Sequence, residues 1–258
     1  AADGKKVVVI IGAGFAGLNA AKTLIDKEGV QVVLIDQRNH HLFQPLLYQV
    51  ATAGLNPADI AVPIRTQFSK AKNIQVHLGH VAKINLAEKY IEADTSDIQF
   101  EFDYAIIACG AVDKYFSHPE WAEVAIGLKS LEQATKIRGQ ILMAFEQAEN
   151  ELDPVKQQAM MTFVIVGGGP TGVELAGAIA EISRTVLVSD FRRINPALAH
   201  VILIEGGDRL VSTFAESLSA QAKSDLIHLG VEVMTSTRVS NITKDGVYIG
   251  DKFIASMC

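Results

Sequence analysis

The stretch VVVIIGAGFAGLNAAKTLIDKEGVQVVLID, residues 7–36, constrains the fold more than any other part of the chain. Five consecutive β-branched residues, Val7 to Ile11, read as a strand buried on both faces, since no position in the run is suited to water. Gly12, Gly14 and Gly17 follow with the spacing GxGxxG, Leu18, Ala21 and Ile25 recur at helical intervals, and VVLI leads to Asp36. Strand, glycine turn, helix and a second strand ending in an acid make a complete βαβ unit. In such a unit the first glycine permits the tight turn and the second lets a pyrophosphate approach the backbone. The third lets helix pack on strand, and the helix N-terminus offers unpaired N–H groups to the anion. Asp36 is then placed to hold ribose hydroxyls, so the stretch predicts a dinucleotide site.

The pattern returns in FVIVGGGPTGVELAGAIAE, residues 163–181, with Gly167, Gly169 and Gly172, with Val173, Ala176 and Ala180 on one helix face, and with Glu205 as the acid that ends HVILIE. That acid comes late because SRTVLVSDFRRINPALA, residues 183–199, extends or follows the helix, and Pro196 is expected to stop any helix there. Between the repeats, Ser130 and Gln133 form a capping-box pattern, and Leu131, Ala134, Ile137, Ile141, Phe145 and Ala148 form an apolar stripe. They predict a helix joining two domains, with a hinge near Asp153 and Pro154.

The repeat extends beyond the glycine loops. NIQVHLGHVAKINLAEKYI matches GVEVMTSTRVSNITKDGVYI in its apolar positions, Val76 with Val233, Val81 with Val239 and Ile84 with Ile242, so each copy predicts a strand followed by a small β-meander. The first meander continues through Phe100 and Phe102 into the apolar strand of DYAIIACGA, whereas the second reaches Phe253 and stops at Cys258. Internal comparison therefore predicts a second domain without its closing strand, in a chain that is a piece of something longer. The expectation is an α/β chain of two Rossmann-type three-layer domains, 1–115 and 158–258, each with its meander, the second incomplete, and a connecting helical segment over 116–157.

Composition narrows the function. With 258 residues, 49% of them apolar and 20% charged, the chain suits two soluble globular domains. A net charge of -6 without a block of like charge argues against a nucleic-acid partner, which would want a basic stripe. Two cysteines, Cys109 and Cys258, provide neither a disulfide framework nor a zinc site, which fits a reducing compartment. His40 and His41 read as loop residues that satisfy backbone groups; as a lone pair they make no metal site. Lys5 and Lys6 precede only five apolar residues, too few for a signal-peptide core, and no later run approaches a membrane span. The chain by itself is expected to be soluble.

Two dinucleotide-binding units in tandem, each followed by a meander, resemble the two-dinucleotide-binding-domain flavoproteins. In that superfamily the first unit binds FAD and the second NAD(P)H. The strand ending in Ala108, Cys109 and Gly110 is similar to its "ATG" signature with Cys109 in place of threonine, and a buried small hydrophobe is the favoured reading of that cysteine over a redox role. Disulfide reductases of the superfamily carry a cysteine pair after the first acid, and no cysteine stands between Asp36 and Asp103. Instead NHHLFQPLLYQVATAGLNPADIAVPIR, residues 39–65, is similar nearly residue for residue to type II NADH:quinone oxidoreductases, as are GGGPTGVELAGAIAE and DFRRINPALAHVILIE.

That resemblance implies FAD on Gly12, Gly14, Phe15, Ala16, Gly17, Asp36, Val81, Cys109 and Gly110. It implies NADH on Gly167, Gly169, Pro170, Thr171, Gly172 and Glu205. It also implies a quinone wall of Gln44, Pro45, Tyr48, Gln49 and Thr52. For each wall residue the alternative stays open that Leu42, Phe43, Leu46 and Leu47 are core and the polar groups cap loop backbone. Glu174 would face the junction of nicotinamide and flavin and position the one or influence proton movement; its alternative is a first-turn acid stabilised by the helix dipole. Rivals are a reductase with a protein or soluble acceptor, and a nucleotide-binding module without turnover. Family members continue with another strand, a second FAD contact and an amphipathic anchor, so this chain alone is expected to hold FAD weakly and to show little activity. The longer protein is expected peripherally on the cytoplasmic face of the inner membrane, with a homodimer allowed.

Overall fold

Val9 and Ile11 point to one side of a parallel sheet and Val8 and Ile10 to the other, and both sides are covered. A computed structural model describes residues 4–94, 98–115 and 117–256. In its first part β1 (Lys6–Ile11) pairs in parallel with β2 (Val30–Asp36), and α1 (Phe15–Thr23) crosses between them. α1 stops before Ile25, which is exposed, so the predicted apolar face is shortened to Leu18 and Ala21. β3 (His40–Leu42) is joined to β4 (Ala61–Pro63) as an antiparallel pair, with α2 (Leu47–Ala51) and α3 (Pro57–Ile60) between them in sequence. After α4 (Ile64–Gln67), β5 (Ile74–Leu78) lies parallel beside β2. β6 (Val81–Asn85), β7 (Tyr90–Ala93) and β8 (Gln99–Glu101) form the antiparallel meander, and β9 (Tyr104–Ile107) returns parallel to β1.

The resulting order is β5-β2-β1-β9. Val8, Ile10, Val32 and Leu34 pack with Leu18 and Ala21 of α1 and with Ile64 and Phe68. Val9, Ile11, Val33 and Ile35 pack with Ile91, Phe100 and Phe102 of the meander. A side-chain period of two thus delivers one strand's residues to two cores. Fully burying a side chain such as Ile10 or Leu34, both without exposed surface, is worth about 1.5–3 kcal/mol.

The second part begins with α5 (Leu131–Asn150). Its capping box is formed: Ser130 Oγ accepts from the Gln133 N–H at 3.2 Å, and Gln133 Oε1 accepts from the Ser130 N–H at 2.9 Å. α6 (Pro154–Met160) is capped by Asp153, whose carboxylate accepts from the Val155 N–H at 2.9 Å. β10 (Thr162–Val166), α7 (Pro170–Glu181) and β11 (His200–Ile204) repeat the βαβ unit. α8 (Glu216–His228), β12 (Val231–Met234) and the meander β13 (Asn241–Thr243), β14 (Gly246–Ile249) and β15 (Lys252–Ala255) follow. The sheet order is β10-β11-β12, and Val247 and Ile254 of the meander cover Ile202 and Ile204. Among the described residues no strand flanks the outer edge of β10, the position β9 takes beside β1. Cys258 lies outside the described residues.

The excursion before β11 is a π turn over Ile182–Val186, a 3-10 turn over Leu187–Ser189 and then irregular chain. Pro196 does not end a helix there; it opens a short 3-10 turn, Pro196–Leu198, capped by Asn195. Two polar side chains hold the excursion. Arg184 donates to the carbonyls of Ala199 and Gly230, and the Glu149 carboxylate accepts from the N–H groups of Arg192, Arg193 and Ile194.

Two compact units emerge, residues 1–43 with 58–112, and 44–57 with 113–258. Residues 44–57 fall in the second because Leu47, Val50 and Ala51 of α2 are buried and α2 packs on α5 and α7. α5, read from the sequence as a link between domains, lies wholly in the second unit, where Ala134, Ile137, Ile141, Ala144, Phe145 and Ala148 are buried. No helix of the described residues is long and apolar enough to cross a membrane.

Candidate functional site

Each unit carries the same cradle at the head of its first strand. In the first, Gly12 adopts φ +98°, a conformation only glycine takes freely, and a Cβ there would collide with the Ala108 carbonyl. A Cβ on Gly17 would strike the Gly12 carbonyl, so α1 can lie against the loop only without one. Nothing stands over Gly14, which leaves the start of α1 open. Asp36 closes the loop from below: one carboxylate oxygen accepts from the Ala13 N–H at 2.5 Å and the other from the Arg38 N–H at 2.7 Å.

The second cradle repeats this plan with a longer acid and without a neighbour over its first glycine. Gly167 adopts φ +111°, a Cβ on Gly172 would strike the Gly167 carbonyl, and Gly169 faces open space. Glu205 accepts from the N–H groups of Gly168 and Gly207, each at 2.6 Å. Phe15 and Ala16, and Pro170 and Thr171, form the first turns of α1 and α7 and are exposed beside the open glycines. Chemically each cradle can take a pyrophosphate: bare backbone, free helix-end N–H groups and a carboxylate fixed at the strand end.

The first cradle has a support that the sequence hinted at only weakly. His41 is 9% exposed and its Nδ1 lies 2.9 Å from the Ala13 carbonyl, so Ala13 is held at its N–H by Asp36 and at its C=O by the histidine. The Phe15 ring meets His41 edge-on at 5.2 Å and Phe43 at 5.5 Å. His41 does satisfy a backbone group, and that group belongs to the glycine loop. Val81, half-buried, opens β6, and Gly110 follows β9 with φ +71°. Cys109 corrects the expectation of a buried hydrophobe: β9 ends at Ile107, the thiol is exposed in the loop beyond it, and Sγ lies 3.9 Å from the Ile11 carbonyl.

The residues predicted as a wall divide. Gln44 and Pro45 are exposed, Tyr48 and Gln49 half-buried, and Gln49 Nε2 donates to the Tyr48 hydroxyl at 3.1 Å. Thr52 is buried and its hydroxyl donates to the Tyr48 carbonyl at 2.9 Å, which makes it a helix-end cap. Among the apolar neighbours Leu47 is core, Leu42 and Leu46 are half-buried, and Phe43 is 43% exposed.

Glu174 sits in the first turns of α7, two residues past Gly172. Partial burial raises its carboxyl above the usual carboxylate range. A cavity of about 440 Å³ runs along the free edge of β10, with Val164, Val166, Ile137, Ile242 and Val247 on its walls and the Gly167 loop at one end. Arg209, four residues past Glu205, is engaged by the carbonyls of Ser212 and Phe214 and by the Ser219 hydroxyl.

Two glycine-loop βαβ units, each with its acid and its meander, define a tandem Rossmann-type α/β fold. Comparison with known proteins agrees. The chain belongs to the pyridine nucleotide-disulphide oxidoreductase family, whose model matches residues 6–255. It is 42% identical over 246 residues to the type II NADH:quinone oxidoreductase Ndh of Mycobacterium tuberculosis, an alignment covering 95% of this chain and 53% of that protein. It is 29% identical to the external alternative NAD(P)H-ubiquinone oxidoreductase B4 of Arabidopsis thaliana mitochondria, covering 94% of this chain and 43% of that one. The fold superposes with a TM-score of 0.89 and 25% identity on NDH2 of Plasmodium falciparum solved with NADH, covering 98% of this chain and 54% of that one. The chain spans about half the length of the curated relatives it matches.

Proposed function

We propose that the first unit carries FAD, that the second binds NADH, and that the protein oxidises NADH and reduces a membrane quinone. The observation that carries this is the duplicated cradle, in which Asp36 and Glu205 each hold the N–H between the first two glycines of their own loop. One cradle accounts for a cofactor and the other for a nucleotide substrate. The likeness to the type II enzyme of Mycobacterium tuberculosis supports the choice of acceptor.

FAD, when bound, supplies the hydride acceptor and passes two electrons on. The overall balance is NADH, one proton and a quinone giving NAD+ and quinol. The protein's part is placement. Gly12, Gly14, Phe15, Ala16, Gly17, Asp36, Val81, Cys109 and Gly110 hold the flavin nucleotide. Gly167, Gly169, Pro170, Thr171, Gly172 and Glu205 hold NADH. Glu174, with its raised carboxyl, positions the nicotinamide or moves a proton near it. Gln44, Pro45, Tyr48 and Gln49 line the quinone's approach. Tyr48 accepts from Gln49 and so keeps its own O–H for a quinone carbonyl. Thr52 shapes that wall from behind. The protein is placed by this reading peripherally on the cytoplasmic face of the inner membrane, which flotation with vesicles tests; sedimentation tests whether it is a homodimer there.

Steady-state oxidation of NADH with a short-chain quinone, a ferredoxin-like protein and a soluble dye as competing acceptors tests the assignment. Quinone should dominate kcat/KM. Preference for the protein acceptor would move the chain to the rival class of reductases.

A further inference from the structure

The relatives named above are described for NADH in one case and for NAD(P)H in the other, so nucleotide choice is a property each chain sets for itself. The turn carrying Glu205 is laced to the loop after β12. The Thr237 N–H donates to the Glu205 carbonyl at 2.9 Å and the Ser236 N–H to the Gly207 carbonyl at 2.6 Å. Ser236 takes φ +54°, a left-handed bend that non-glycine residues rarely adopt. From this loop the Arg238 side chain lies along Gly206. A Cβ on that glycine would stand 3.3 Å from Arg238 Cγ and 3.7 Å from its Nε, so a side chain there would press on the arginine's stem.

Arg238 is exposed, and among the described residues it makes no ion pair or hydrogen bond. It therefore differs from Arg209, whose guanidinium is engaged by its own loop. Two further charges bear on these segments: Asp208, exposed in the turn, and Lys223 of α8, whose Nζ reaches the Thr235 hydroxyl at 3.4 Å. A free guanidinium whose stem lies beside Gly206, the residue after the acid, is the planar, multiply donating group that suits a phosphate.

We infer that Arg238 is a specificity-determining residue of the second cradle, offering its guanidinium to the 2′-phosphate of NADPH and so limiting how far Glu205 excludes that nucleotide. The inference rests on the reading of the second unit as the NADH site. Glu205 repels the added phosphate and favours the bare 2′-hydroxyl; Arg238 acts in the opposite sense on the phosphate alone. Gly206 permits this by leaving the stem of the arginine its path.

Calorimetric titration of the protein with NADH and with NADPH tests it without any turnover. Arg238→Gln should lower NADPH affinity by roughly tenfold or more, as expected for a lost charge-assisted contact, and leave NADH affinity within about twofold. Gly206→Val, which displaces the arginine's stem, should reproduce the change in the same direction. Equal loss for both nucleotides would make Arg238 a general adenosine contact, and unchanged NADPH affinity would make it a bystander; either result overturns the inference. Failure of the unaltered protein to bind NADH would instead refute the underlying site and remove the inference with it.

Discussion

At the scale of single residues the two cradles show a compensation in size. The shorter acid, Asp36, bonds the N–H of Ala13, which has a Cβ, and the longer acid, Glu205, bonds the N–H of Gly168, which has none. A Cβ on Gly168 would stand 3.0 Å from Glu205 Cβ and 2.6 Å from Leu210 Cδ2. The leucine tip can swing away, whereas the stem of Glu205 cannot move without drawing its carboxylate off the loop. Gly168→Ala should therefore destabilise the protein by about 1–3 kcal/mol, as overpacking does. Adding Glu205→Asp should restore part of that, with a coupling of about 0.5–3 kcal/mol in a double-mutant cycle by urea denaturation. Strict additivity would show that acid and loop are independent. Glu174 gives a pH dependence. Its carboxyl is raised above the ordinary 4.5 by burial, so the folded state favours the proton, and the stability this contributes is present below that value and lost as pH rises through the raised one. Glu174→Gln should flatten that decline in a series of thermal melts while altering NADH affinity or flavin reduction. A variant indistinguishable from the parent in rapid-mixing kinetics would leave Glu174 as a helix-end acid only.

At the scale of elements, local chemistry is legible where neighbours in sequence are also neighbours in space. α5 begins where the Ser130 and Gln133 pattern predicts, because both partners of the capping box lie within one turn. Ser130→Ala removes one side of that box and should cost about 1 kcal/mol, read as a lower denaturation midpoint with unchanged slope. An unaltered midpoint would mean that the Asp113 carboxylate, which accepts from Gln133 Nε2 at 2.7 Å, suffices to hold the helix start. Periodicity alone is less secure at helix ends. The spacing of Leu18, Ala21 and Ile25 predicts a longer α1 than the one formed, because Asn73 accepts from the Asp26 N–H and donates to the Leu24 carbonyl, drawing the chain out of the helix. That partner lies far away in sequence and leaves no mark on the local pattern.

At the scale of the whole molecule the duplication implies two sites that can be disabled separately, since each cradle is built entirely within its own unit. Gly12→Ala forces a side chain into φ +98° and onto the Ala108 carbonyl, and should lower the affinity for added FAD while leaving the NADH titration within about twofold. Loss of both together would place the damage in folding. The sequence by itself determined the strand and glycine patterns, the two acids, the capping box and the meanders, because each is a short-range or periodic constraint of the backbone. Tertiary structure alone decided that residues 44–57 pack with the second unit, that Thr52 turns inward and Cys109 outward, that His41 supports the loop at Ala13, and that Arg238 lies over Gly206. Each of these depends on which surfaces bury one another across long separations in sequence, and burial of that kind is a property of the assembled chain.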